Sequence, residues 1–266
     1  MSTTYAFADD EAAGATHHGS LVDVLAAILD PFTARRLAPY VTDARCLELA
    51  AGAGTIAVWM AERAAEVTAT DTDIRHVATL AAQYPNLTAR VHDLDTDPLD
   101  EGRYDLIHVR LLLAHLPRRH ELVGKLATAL ALGGVLVIDE FQASWDSCVL
   151  DAPDMAQAQR LFGAYHQALT SVLAKAGNDT TFGRNAHRVM RAHGLVDVDV
   201  EFSARSWHGG QAGCRLPYLA TEQLRPKLLA AGMPAGDIDA FRELLCDPEL
   251  MIHGNFAVST IGRKTR

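Results

Sequence analysis

Arg45-Cys46-Leu47-Glu48-Leu49-Ala50-Ala51-Gly52-Ala53-Gly54-Thr55, continued through Ile56 to Arg63 and closed by Val67-Thr68-Ala69-Thr70-Asp71, is the stretch that decides the fold. Cys46 to Leu49 is a short apolar run carrying one acid, Glu48, and it ends in the small residues Ala50 to Gly54. Ile56, Trp59, Met60 and Arg63 recur at helical spacing, and a second short run finishes on Asp71. Strand, glycine turn, helix, strand and terminal acid make half of a nucleotide-binding βαβ unit. Gly52 and Gly54 allow a sharp turn and a close backbone approach, because no Cβ intervenes. The helix starting near Thr55 directs unpaired amides at the same spot. Asp71 stands where an acid accepts hydrogen bonds from ribose hydroxyls.

Two ligand classes fit this pattern, a dinucleotide or S-adenosylmethionine, and a chance glycine turn is the bland alternative. Glu48 helps to separate them. In the dinucleotide fingerprint the first strand is apolar up to its first glycine, whereas here a carboxylate sits four residues before Gly52, near the end of a strand buried on both faces. A buried acid needs donors, and an aminoacyl group or loop amides would supply them.

Glu48-Leu49-Ala50-Ala51-Gly52-Ala53-Gly54 followed by Asp71 resembles the signature of class I S-adenosylmethionine-dependent methyltransferases, with Ala50 standing where that pattern has its first glycine. The segments 104–117 (YDLIHVRLLLAHLP) and 132–141 (LGGVLVIDEF) are similar to small-molecule methyltransferases of actinobacterial secondary metabolism. The likeness covers residues 44–140 closely and both ends loosely. It implies a Rossmann-like, mostly parallel seven-stranded sheet with an antiparallel last strand, and S-adenosylmethionine as cofactor. On this resemblance the cofactor-binding residues are Glu48, Ala50, Gly52, Gly54, Asp71, Thr72, Asp93, Leu94, Val109 and Arg110, with Asp93 at the adenine amino group.

The chain has 266 residues, 49% of them hydrophobic, enough for one large domain with a substantial core. Its formal charge of −9, without a basic cluster, disfavours a nucleic-acid partner. Cys46, Cys148, Cys214 and Cys246 show no paired spacing and read as free thiols, which suits the reducing cytoplasm. No apolar run reaches membrane-spanning length, and the polar N-terminus carries no signal-peptide pattern. The partner expected is a small-molecule acceptor, with neither nucleic acid nor membrane and with a homodimer as the candidate assembly.

Residues 1–40 read as an N-terminal helical arm and lid, and 41–266 as the methyltransferase domain with a helical cap inserted at 141–181. In the arm, Leu21, Val24, Leu25 and Ile28 mark one helix over Thr16 to Leu29, and Asp30-Pro31 restarts a second to Pro39. The residues before it, with Tyr5 and Phe7 as large apolar groups, form a tail. After Asp71 come a helix to Tyr84, a strand from Leu87 to Val91, an acidic loop from Asp93 to Gly102 and a strand from Tyr104 to Arg110. A helix to Leu130 and a fifth strand from Val135 to Asp139 follow. The remainder reads as helices at Met155 to Ala176, Gly183 to His193, Thr221 to Ala230 and Ile238 to Leu245. Strands are expected at Leu195 to Phe202 and Asn255 to Ile261, with a glycine-rich loop around Gly209, Gly210 and Gly213.

A general base near neutral pKa suits a phenol, hydroxyl or activated carbon acceptor, and histidine is the natural choice. His115, just past the fourth strand, ranks first; capping the next helix or packing a wall is its plain alternative. His166 and His253 follow, and His17, His18 and His108 rank lower. Arg110 holds a ligand carboxylate or else pairs with Asp71, Asp139 or Glu140. Asp139-Glu140 resembles a metal position of catechol-type enzymes, but its partner ligands are not evident, so no metal is expected. Phe162, Tyr165 and Trp207 suit an aromatic acceptor wall and equally a core. Two rivals stay open: a cofactor-binding protein with a cyclase or regulatory role, and an NAD-dependent oxidoreductase.

Overall fold

The structure, a computed structural model, describes residues 14–142 and 148–265, with side chains from residue 21 onward. The expectations placed on Tyr5, Phe7 and the side chains of His17 and His18 lie outside the described residues. In chain order the elements are α1 (Gly14–Val41), β1 (Arg45–Leu49), α2 (Thr55–Ala61), β2 (Glu66–Asp71), α3 (Arg75–Ala81), β3 (Leu87–Val91) and β4 (Tyr104–Arg110). A 3-10 turn (Leu113–His115), α4 (Arg119–Ala129), β5 (Leu130–Gln142), β6 (Val149–Asp151), α5 (Met155–Lys175), α6 (Phe182–Ala192) and β7 (Val196–Ser203) follow. The last are β8 (Ser206–His208), α7 (Ala212–Gln223), α8 (Arg225–Ala230), α9 (Ala235–Cys246), β9 (Met251–His253) and β10 (Phe256–Arg263).

The chain divides into two compact units. The sheet unit comprises residues 29–141, 181–202 and 257–266. Its seven strands lie in the order β3-β2-β1-β4-β5-β10-β7. β3, β2, β1, β4 and β5 are parallel neighbours. β10 runs the other way: Gly133 N–H donates to Lys264 O and Lys264 N–H to Gly134 O, so the end of β10 meets the start of β5. This is the Rossmann-like arrangement with an antiparallel last strand, and strand order reverses between β1 and β4.

Alternation along the buried strands separates two cores. Leu47, Leu49, Ile107, Val109, Leu136 and Ile138 pack with α4 and α6. Cys46, Val67, Leu106, Val135 and Val137 pack with Leu37 and Val41 of α1, Ile56 and Met60 of α2, and Val77 of α3. Burying both faces explains why these strands read as near-continuous apolar runs.

The described residues of the other unit are 14–28, 142, 148–180 and 203–256. It holds α5, α7, α8 and α9 with a small antiparallel sheet in the order β6-β9-β8. Residues 203–256 thus pack with 148–180. Phe162 and Tyr165 meet Phe241 at ring-centroid distances of 4.8 and 4.7 Å, and with Trp207 they belong to this unit's buried core.

Three sequence readings change. The restart at Pro31 is absent: α1 continues from Gly14 to Val41 with Pro31 and Pro39 inside it, packing overriding the local break. β5 begins at Leu130 and reaches Gln142, longer at both ends than Val135 to Asp139. Gly209 and Gly210 form a short turn between the three-residue strand β8 and α7, while Gly213 lies inside α7, which also carries Pro217.

Candidate active site

The β1–α2 loop is built from left-handed residues: Ala50 has φ 53°, Gly52 53° and Gly54 79°. A Cβ on Gly54 would lie 3.0 Å from Leu80 Cδ1 and 3.3 Å from Val77 Cγ2, so glycine lets α3 pack against the start of α2. Ala50 takes a conformation costing an L residue about 1 kcal/mol, and this strain is the consequence of alanine at the first glycine position. β2 fastens the loop. Thr70 O accepts from Ala51 N–H at 3.0 Å, and Asp71 Oδ2 accepts from Gly52 N–H at 2.9 Å. Asp71 Oδ1 accepts from Asp73 N–H at 3.1 Å and lies 3.4 Å from the hydroxyl of the exposed Thr72. Gly52 has open space around it, a Cβ there meeting only Ala50 O at 4.0 Å. A half-buried carboxylate, held by two loop amides beside an unobstructed main chain, suits the diol of a ribose.

Below this loop the expected donors to Glu48 are replaced by a histidine. Register sets Glu48 opposite His108 on adjacent strands, and both side chains point to the α1–α3 face. His108 Nδ1 lies 2.6 Å from Glu48 Oε2, and its Nε2 lies 3.3 Å from Asp139 Oδ2 on β5. All three groups are buried. Burial pushes the imidazole pKa down, but Glu48 and Asp139 outweigh it and carry the value up to about 9. The ring is therefore a cation at neutral pH, and each N–H donates to a carboxylate. Burial likewise raises Asp139, yet the hydrogen bond and charge of His108 leave it below its ordinary value.

The network continues into α1. Thr33 donates its hydroxyl to Asp139 Oδ2 at 2.6 Å. Arg110, at the end of β4, donates to Asp30 Oδ1 at 2.8 Å and lies 3.4 Å from Thr33 Oγ1. Asp30 is thus the ion-pair partner of Arg110, not Asp71, Asp139 or Glu140.

On the opposite face, Glu140 Oε1 accepts from Ala114 N–H at 3.0 Å. Burial raises the Glu140 pKa to about 8, only partly opposed by the amides of Ala114, Leu113 and Leu112. His115 closes that 3-10 turn. Burial, with Arg119 nearby, pushes its pKa down to about 4, so the imidazole is neutral at physiological pH but a weak base.

The remaining sequence candidates are dispersed. Asp93 is exposed and organises a turn, its N–H donating to Asp97 Oδ2 at 2.9 Å and its Oδ1 accepting from Asp95 N–H at 2.9 Å. The side chains of Leu94 and Val109 are core residues on the α4–α6 face; Val109 is paired with strands on both sides, and Leu94 O accepts from Lys125 Nζ at 2.6 Å. His166 on α5 and His253 on β9 belong to the other unit. His253 Nδ1 lies 3.1 Å from Gly254 O, and its ring centroid is 5.3 Å from that of Phe256. Among the described residues no group of His, Cys, Asp and Glu is arranged to hold a metal. A groove beside Gly124, Thr128, His193 and Lys264 lies at the amino end of β5, remote from the strand ends just described.

His108, Asp139, Thr33 and Asp30 are the site residues the sequence reading missed or ranked low. One signal for His108 was available: a titratable residue inside the buried run from Leu106 to Val109 needs a partner, as Glu48 does.

A family model described as a methyltransferase domain matches residues 24–198. A methyltransferase of Strobilurus tenacellus, str2, is 29% identical over 97 residues, 36% of this chain and 35% of that protein. Among solved structures, a putative methyltransferase from Bacillus halodurans superposes with a TM-score of 0.56 at 12% identity, over 93% of this chain and 100% of that one. The phosphoethanolamine N-methyltransferase 2 of Haemonchus contortus, in complex with phosphomonomethylethanolamine and S-adenosylhomocysteine, gives 0.54 at 14% identity. That comparison covers 93% of this chain and 53% of the nematode enzyme, so the chain spans about half of it and about a third of the fungal protein.

Proposed function

This chain belongs to the methyltransferase-domain family, and on that premise we propose that it moves a methyl group from S-adenosylmethionine to a small-molecule acceptor. The observation that carries the reading is the Asp71 carboxylate, fixed by Gly52 and Asp73 amides beside the left-handed loop from Ala50 to Gly54. S-adenosylmethionine supplies the electrophilic methyl carbon when bound. The protein's part is to bind, orient and exclude water, because an in-line displacement gains most from positioning.

Asp71 accepts the ribose hydroxyls, with Thr72 beside it. Ala50, Gly52 and Gly54 present main chain at close approach, and Glu48 underlies them. Asp93 and the Leu94 main chain take the adenine side. Val109 and Arg110 bring the end of β4 to the site. The buried acids Glu48 and Asp139 favour a sulfonium over the anionic pyrophosphate of a dinucleotide, which speaks against the NAD reading.

His115 is the first candidate to take a proton from the acceptor, and it is present as the neutral base throughout the physiological range. His166 and His253 are the alternatives for the same proton. The formal charge of −9 suits a small acceptor over a polyanionic one. The resemblance of residues 104–117 and 132–141 favours a secondary metabolite made in the cytoplasm. No helix among the described residues is long and apolar enough to cross a membrane.

Asp71→Ala should weaken S-adenosylmethionine binding about tenfold to a hundredfold in calorimetry, the loss of charged hydrogen bonds. Unchanged affinity removes the ribose assignment. His115→Ala should lower turnover while leaving cofactor affinity in place; normal turnover moves the base to His166 or His253.

A further inference from the structure

Glu48, His108 and Asp139 come from three adjacent strands, β1, β4 and β5, and meet at the carboxyl edge of the sheet. Each ring nitrogen faces a carboxylate oxygen, so both contacts are favourable only when the three groups share one proton beyond that of the neutral ring. Whether that proton rests on the ring or on an acid, the sum is one negative charge. Its surroundings do not cancel it. Thr33 is a neutral donor, and Arg110 is already paired with Asp30. Ser259 of β10, whose side chain also faces Asp139, is likewise neutral. An uncompensated charge in a low-dielectric interior acts over a longer range than one screened by water.

We propose that Glu48, His108 and Asp139 act as a single buried anion that makes the site discriminate the cationic S-adenosylmethionine from its neutral product, S-adenosylhomocysteine. This rests on the cofactor assignment above. Methyl transfer removes the sulfonium charge, so the same anion that helps to hold the substrate has no grip on the product and favours its release. Asp139 and His108 are positioning residues in this account: they fix the charge and geometry of Glu48 from the neighbouring strands.

Calorimetry with both ligands on the full chain tests this. Asp139→Asn removes one negative charge with little change of shape, and it should lower the affinity for S-adenosylmethionine relative to S-adenosylhomocysteine about tenfold. Glu48→Gln should do the same. His108→Gln removes the cation that stands between the two carboxylates, so the site stays at least as negative and the affinity ratio should not fall. If Asp139→Asn weakens both ligands equally, the residue is merely structural and the proposal is overturned. A fall of the ratio in His108→Gln as large as that of the acid variants overturns it too. For a variant too unstable for calorimetry, the rise of its unfolding midpoint with each ligand reads the same ratio, and Asp139→Ser is the second substitution at that position. Wild-type protein that binds neither ligand would instead sink the cofactor assignment.

Discussion

The two faces of the sheet treat buried acids in opposite ways at the carboxyl end of β5. Asp139 and Glu140 are neighbours in sequence, each 3% exposed, and they point to opposite sides. On the α1–α3 side Asp139 meets an imidazolium and is held below its ordinary pKa. On the α4–α6 side Glu140 meets main-chain amides and rises to about 8. Amides donate hydrogen bonds but bring no net charge, and here they do not offset the loss of hydration. A cation does. One face therefore carries ionised groups and the other a carboxylic acid that is protonated at neutral pH.

The largest expected effect breaks the charged side. Asp139→Ala should cost about 3 kcal/mol in urea unfolding at pH 7, because it strips a buried cation of one partner. A loss below 1 kcal/mol would mean that the amide side and the cation side are equivalent after all. Next comes pH. Glu140 has a folded pKa above its ordinary 4.5, so its contribution to stability is fully present below pH 4.5 and declines as pH rises towards about 8. Unfolding free energy measured between pH 5 and pH 8 should fall with a slope of up to about 1.4 kcal/mol per unit from this group. Glu140→Gln should remove this group's share of the slope, leaving the part that His108 contributes above about pH 6.5; an unchanged slope assigns the pH dependence elsewhere.

At pH 4, where the acid is protonated in the folded chain, Glu140→Gln replaces one neutral acceptor by another and should change stability by less than about 1 kcal/mol, and the variant becomes the more stable of the two as pH rises. The smallest effect concerns the loop above the charged side. Ala50→Gly relieves the left-handed strain but adds unfolded-chain freedom, for a net change within about 1 kcal/mol by thermal unfolding.

This contrast also marks where sequence stops being informative. β1, α2, β2 and Asp71 are legible because glycine turn, helix and terminal acid are local in the chain. Even Glu48 announced itself as a buried acid in want of a donor. Its donor did not, because residues 48, 108 and 139 are brought together only by strand order and register. For Arg110 the sequence offered a ligand carboxylate or, failing that, Asp71, Asp139 or Glu140, and for the same reason not its partner Asp30, which comes from α1. Pro31 and Gly213 misled in the opposite direction: local breakers were overruled by packing, giving a continuous α1 and an early start to α7. The three-residue strands β6, β8 and β9 carry too few side chains to show a period.

β10 enters the sheet between β5 and β7, although it follows both by more than fifty residues. During synthesis, the slot between those strands stays open until Arg263 has left the ribosome. A truncation that removes this strand would split the sheet, leaving β7 without its neighbour and β5 with an apolar edge that invites another chain.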